Sequence, residues 1–221
     1  MIRDDGSRGH SIADSALEKV QEPDVIVVPG GPGTINAMND SAAMGWLRSA
    51  HATARWTTSV CTDSLLLGAA GLLKGKRATS HWIVRESLRD FGAEPVGERV
   101  VVDGDVVTAA GVSAGSDMAL TPAAYEVGAL DARALQLVIE YDPQPPYDAG
   151  SLANADSRPS GARESSSLGV ADALAGGVRQ RCRARLSSVD PLPAGRNLIE
   201  RRGGICTAPG LRPHSATLTL R

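Results

Sequence analysis

A cysteine at position 61 separates a β-type run, Trp56 to Val60, from a largely apolar stretch, Thr62 to Leu73, in the segment WTTSVCTDSLLLGAAGLL. A side chain at a strand-to-helix corner is exposed at the positive end of a helix dipole, where enzymes place nucleophiles. The reactive form of cysteine is the thiolate, and a helix N-terminus with partial exposure lowers a thiol pKa from about 8.5. The unpaired N–H groups of such a corner can also bind negative charge developing on a substrate, and Thr62 adds a hydroxyl there. A second set of donors comes from Gly30 and Gly31 in PDVIVVPGGPG, where the lack of a Cβ lets a substrate approach the backbone. His81 is the candidate proton carrier, able to orient the thiolate, donate a hydrogen bond or shuttle a proton.

Each of these residues also has an ordinary structural reading. Free cysteine often behaves as a small buried hydrophobe, and a histidine is often a satisfied core or surface residue. The PGGPG loop matches neither the GxGxxG dinucleotide pattern nor a phosphate loop ending in Gly-Lys-Ser/Thr. SVCTDS lacks the GxSxG corner of a serine hydrolase. Asp103 and Asp105 flank a turn signal and read as turn chemistry, while His10, His51 and His214 stand in surface or tail contexts.

The elements that must position the candidates follow from periodicity. DVIVVP is a buried parallel strand entering the glycine loop, and SAAMGWLRSAHA places Met44, Leu47 and His51 at helical spacing with Ser41 as N-cap. Trp56 to Val60 is a second strand, and Thr62 to Leu73 a helix covering the sheet. KGKRATSHW is a turn and a short strand ending near His81, and IVRESLRDFG is an amphipathic helix closed by Gly92. RVVVDGDVVTAAG is a hairpin turning at Asp103-Gly104, followed by helices in SAGSDMALTPAAYEVG and DARALQLVIEYD. Strands alternating with helices at this pitch predict an α/β sandwich around a mostly parallel sheet. In such sheets sites form at the carboxyl ends of strands, where both the glycine loop and Cys61 fall.

Composition divides the chain. Residues 155 to 221 hold 11 Arg, no Lys and 5 acidic residues, a net +6, whereas residues 1 to 154 hold 12 basic and 20 acidic residues, a net −8. All 7 aromatics lie at or before Tyr147. The expected organisation is an α/β domain over residues 1–152 and an Arg/Ser-rich disordered extension over 153–221 with no selected function. That extension has no aromatic platforms and no helix-turn-helix pattern, so nucleic-acid binding is not expected. Cys61, Cys182 and Cys206 are widely spaced, supporting neither a zinc site nor a disulfide framework. With no membrane span and no apolar signal core, the expected location is the cytoplasm.

Taken together, DVIVVPGGPG, SVCTDSLLLGAAGLLKGKRATSHW, RVVVDGDVVTAAGVSAGSDMAL and IEYDPQPPYDAGS resemble the ThiJ/PfpI superfamily, the class I glutamine amidotransferase-like group with a cysteine at a nucleophile elbow. RATSHW and YDPQPPYDAGS point within it to the isonitrile hydratase branch. The resemblance covers residues 24 to 152. It implies a flavodoxin-like three-layer sandwich, a homodimer, no cofactor and no metal. Cys61 would attack an isonitrile carbon, giving a thioimidate that water converts to an N-substituted formamide. Thr62, Gly30 and Gly31 would line the site, and His81 matches the histidine near the cysteine. Rival readings within the superfamily are a glyoxalase or deglycase, a peptidase (disfavoured by Thr62 where peptidases carry His), and a non-catalytic regulator or sensor domain.

The chain departs from the family pattern at several points. The acid on the family's first strand has no counterpart, and the chain is expected to lack that first strand–helix unit, leaving core exposed. Asp63 stands where family elbows have Gly, Ser116 where the branch has an apolar residue, and Pro122 lies inside a helical pattern. A carboxylate beside the sulfur raises a thiol pKa, and a mid-helix proline costs about 3 kcal/mol or more.

Overall fold

The computed structural model describes residues 15–151 together with 153 and 154. Four strands form the main sheet in the order β1 (Val25–Pro29), β2 (Trp56–Val60), β6 (Val106–Ala109), β5 (Val100–Asp103). β1 pairs parallel with β2 (Val25 opposite Trp56), and β2 parallel with β6 (Thr57 opposite Val106). β5 and β6 are the antiparallel hairpin, turning at Gly104, whose φ of +67° favours glycine. The sheet is therefore mostly parallel, as its β-branched runs predict. The expected extension over 153–221 lies outside the described residues, apart from positions 153 and 154.

Helical segments cover both faces. On one face α1 (Thr34–Met38), α2 (Ser41–His51) and α3 (Ser64–Ala69) pack with a 3-10 helix, Arg85–Phe91. Ile26, Met44, Leu47, Leu65, Leu67, Leu73, Leu88 and Phe91 make the larger core there. On the other face Val107 and Ala109 meet Ala114 and Met118 of α4 (Ala114–Val127). The α/β flavodoxin-like sandwich is thus the observed architecture. The second helical layer is thin: Val25 and Val27 are exposed on β1, and α5 (Ala129–Val138) buries only Ala132.

Several boundaries differ from the sequence-based expectation. The N-cap of α2 is Asp40, whose carboxylate accepts from the N–H groups of Ala42 and Ala43, and not Ser41. The helix expected over Thr62 to Leu73 is a 3-10 turn, Cys61–Asp63, then the short α3, because Gly71 adopts positive φ and stops it before Leu73. The strand expected near His81 is only β3 (Arg77–Ala78), paired parallel with β4 (Glu94–Pro95), two residues that periodicity does not mark. IVRESLRDFG winds as a 3-10 helix over Arg85–Phe91 rather than an α-helix, burying Ser87, Leu88 and Phe91; Gly92 closes it with φ +77° as expected. α4 continues through Pro122, which is buried, and Thr121 donates its hydroxyl to the Asp117 carbonyl one turn back.

Candidate active site

Cys61 follows β2 directly in a left-handed conformation, with φ of +64°. A non-glycine residue pays for this conformation with strain of order 1–3 kcal/mol, so the surroundings must hold it. They do so from both sides of the peptide. The Cys61 N–H donates to the Ala110 carbonyl at 2.7 Å, and its carbonyl accepts from the His81 N–H at 3.1 Å and the Ser80 hydroxyl at 2.7 Å. The corner is clamped between the end of β6 and the loop after β3.

Below the corner β2 presents buried hydroxyls. Thr58 donates to the Ile26 carbonyl at 2.9 Å, and Ser59 donates to the Ser64 hydroxyl at 3.0 Å. Ser64 in turn bonds the Thr79 carbonyl at 2.7 Å, and Thr79 N–H reaches the Thr108 hydroxyl at 2.9 Å. This polar layer ties β2, α3, the loop after β3 and β6 beneath the cysteine.

The glycine loop closes over the corner. A Cβ on Gly30 would lie 2.7 Å from the Cys61 Cβ, the Thr62 nitrogen and the Val60 oxygen, so only glycine fits. At Gly31 a Cβ would meet nothing within 4 Å, and that side of the loop is open. The Gly31 N–H donates to the Thr62 hydroxyl at 3.1 Å rather than standing free for a substrate. Thr34, which sequence reasoning missed, sits between these groups. Its hydroxyl lies 2.7 Å from the Gly31 carbonyl and 2.7 Å from the Thr62 hydroxyl, and it contacts the Asp63 carboxyl. The available signal was a hydroxyl opening the segment after PGGPG.

Electrostatics modify the expected reactivity. Cys61 is half-buried, and burial pushes its thiol pKa up. The neighbouring N–H and hydroxyl of Thr62 oppose that rise, and the Asp63 charge adds to it. The lowered pKa expected from a helix N-terminus is therefore overcome by desolvation. Asp63 is only 6% exposed, and burial pushes it up to about 6 against hydrogen bonds from Thr34 and Thr62. His81 is also shifted by burial, downward, so its ring is neutral near pH 7. The Ile83 N–H approaches its Nδ1 at 3.4 Å, and the Trp82 ring lies beside it, centroids 5.7 Å apart and tilted by 32°. Among the described residues no hydrogen bond joins the His81 ring to the sulfur; its link to Cys61 is through the backbone.

Gly30, Gly31, Cys61, Thr62 and His81 thus converge on one corner, and Thr34, Asp63, Ser80 and Ala110 join them. His51, read as a surface residue, is half-buried with Nδ1 2.8 Å from the Thr57 hydroxyl and its pKa lowered by burial. Asp103 and Asp105 belong to the hairpin turn, as expected, where both approach Lys76.

The DJ-1/PfpI family model matches residues 4–124, more than half of the chain. The protein belongs to the DJ-1/PfpI family. Among curated DJ-1/PfpI relatives, an isonitrile hydratase of Pseudomonas putida is 53% identical over 128 residues, covering 58% of this chain and 56% of that protein. A deglycase of Pyrococcus horikoshii is 30% identical over 106 residues, covering 47% of this chain and 64% of that one. A crystal structure of a ThiJ/PfpI family protein from Pseudomonas syringae superposes with a TM-score of 0.64 at 39% identity, over 76% of this chain and 66% of that one. The chain thus spans just over half the length of the Pseudomonas putida relative. Among its described residues no helix is long and apolar enough to cross a membrane.

Proposed function

We propose that this DJ-1/PfpI domain hydrates an isonitrile to an N-substituted formamide, with Cys61 as nucleophile and Gly30, Gly31, Thr62 and His81 around the reacting carbon. The observation that carries this reading is Cys61 itself, held at φ +64° on the carboxyl end of a central parallel strand beside a glycine loop that only Gly30 can form. The 53% identity to an isonitrile hydratase supports the choice of substrate class. The sulfur attacks the terminal carbon of the isonitrile, the carbon takes a proton, and water then adds to the resulting thioimidate and releases the formamide. His81, neutral and turned by its Nδ1 contact, borders the corner and passes protons to water. The working unit is a homodimer in the cytoplasm, without cofactor, and residues 153–221 form an extension outside the catalytic domain.

The test is turnover of cyclohexyl isocyanide to its formamide by the chain and by Cys61→Ala. The expected outcome is formamide production that is lost on substitution. A folded protein that leaves the isocyanide untouched but consumes α-dicarbonyl adducts would replace this reading with the deglycase chemistry named for the Pyrococcus horikoshii relative.

A further inference from the structure

Asp63 is a buried carboxyl that the reaction outlined above leaves unused. Four oxygens meet at this point: the Thr34 hydroxyl, the Thr62 hydroxyl, the Gly31 carbonyl and Oδ1 of Asp63. The Thr34 oxygen touches each of the other three. A carbonyl and an ionised carboxylate only accept, so each oxygen–oxygen contact requires one proton from the remaining groups. With Asp63 ionised, two hydroxyl protons would have to serve these three short contacts, the further approaches of the Thr62 hydroxyl to the Gly31 carbonyl and to Oδ1 of Asp63 being long at 3.4 Å. With Asp63 protonated the valences close. The carboxyl donates to Thr34, Thr62 donates to Thr34, and Thr34 donates to the Gly31 carbonyl, filling both lone pairs and the one proton of the Thr34 hydroxyl. The Thr62 oxygen accepts its remaining bond from the Gly31 N–H.

From this proton count we propose that Asp63 is the proton store of the Cys61 site, connected to it through the Thr34 and Thr62 hydroxyls. The assignment rests on the isonitrile reading for its chemistry, and Asp63 acts as a positioning residue, since it reaches the substrate only through Thr62. The reacting pair is a Cys61 thiolate and an Asp63 carboxylic acid, drawn from the thiol–carboxylate form that dominates at pH 7, where burial holds the thiol up and Asp63 titrates at about 6. The thiolate forms the S–C bond, and the lone pair left on the isonitrile carbon takes a proton from Thr62, which is refilled by Thr34 and then by Asp63. Water adds to the thioimidate carbon while one of its protons goes to nitrogen. The C–S bond then breaks with its electron pair returning to sulfur, and the remaining hydroxyl proton runs back through Thr62 and Thr34 to the Asp63 carboxylate. The sum is isonitrile plus water to formamide, with thiolate and acid restored.

Burial supports this role by pushing Asp63 up to about 6, close to the range in which a proton store is useful. The titratable group facing Asp63 on its own turn is Cys61, and the loop after β3 brings His81 to the same corner. α1, α3 and β1, which pack around the turn, carry no ionisable side chain.

The experiment measures two rates on one preparation: iodoacetamide alkylation of Cys61 across pH, followed on its own peptide, and hydration of cyclohexyl isocyanide. The variants are Asp63→Asn, Thr34→Val and Thr34→Ser. Wild-type alkylation is expected to show a lower inflection at about 6 from Asp63. Asp63→Asn is expected to lose that inflection and to alkylate faster at neutral pH, because a charge opposing the thiolate is gone. The same variant hydrates more slowly by about 100-fold, the low end of what a positioned acid–base group supplies. Thr34→Val slows hydration likewise, and Thr34→Ser recovers most of the loss. A purely structural Asp63 would move both rates the same way. Unchanged hydration in Asp63→Asn, or a lower inflection that survives it, overturns the proposal. If Asp63→Asn does not fold, equal rates for Thr34→Val and Thr34→Ser overturn it instead. Wild type that shows the Asp63-dependent alkylation profile without hydration would retain the proton store and remove the isonitrile reading.

Discussion

Cys61 and Asp63 are two residues apart and share one turn, yet burial acts on them with opposite consequences for function. Desolvation disfavours the charged form of each, raising both pKa values. For the thiol this opposes reactivity, whereas for the carboxyl it keeps a proton available. The stability consequence of Asp63 has a definite sign. Its ordinary value is 3.8 and its folded value about 6, so the folded state binds the extra proton between these limits. The contribution is fully present below the unfolded value and lost as pH rises through the folded one, about 3 kcal/mol in all. Comparing the denaturation free energy of the wild type with that of Asp63→Asn from pH 4 to 8 should show the wild type losing ground by roughly this amount. A difference that does not vary with pH would contradict the buried-acid description.

At the scale of elements, polar side chains decide where helices start. Asp40 and Ser41 are adjacent and both are good N-cap types. Asp40 takes the position because its extended backbone (ψ 104°) directs the carboxylate at the N–H groups of Ala42 and Ala43. Asp40→Ala is expected to cost about 1 kcal/mol in chemical denaturation, while Ser41→Ala costs close to nothing. The reverse order would restore Ser41 as the cap. The same principle explains why the corner helix is short. A cysteine at positive φ cannot continue a regular α-helix, so α3 starts only at Ser64 after the Cys61–Asp63 turn, and Gly71 at positive φ follows close on its end.

For the whole molecule, charge and burial divide the chain. The buried apolar side chains of the described residues run from Ile26 to Ala132, and all the aromatics precede position 148. Residues 156–221 carry the Arg excess without aromatics. Removing them is expected to leave the melting temperature and the Cys61 alkylation rate unchanged; a large drop in either would mean that the extension completes the fold. Val25, Val27, Leu130, Leu137 and Val138 leave apolar area in water, which contributes nothing to stability until something covers it.

Much of this protein is determined by its sequence because the signals are local. β-branched runs ended by Gly and Pro place β1 and β2, Asp103-Gly104 places the hairpin, and the cysteine following Val60 marks the corner. That Gly30, Gly31, Thr62 and His81 would gather with Cys61 at one corner was legible because loops at strand ends meet at the same edge of such sheets. The 3-10 winding of Arg85–Phe91 and the pairing of β3 with β4 were not legible, since apolar periodicity marks neither the tighter winding nor strands of two residues. Nor was the role of Thr34, which stands 29 residues from Asp63 in the chain. Whether Asp63 hinders the thiol or holds a proton for it depends on desolvation and on which hydroxyls surround it. Those are properties of the folded interior, and only the tertiary structure decides them.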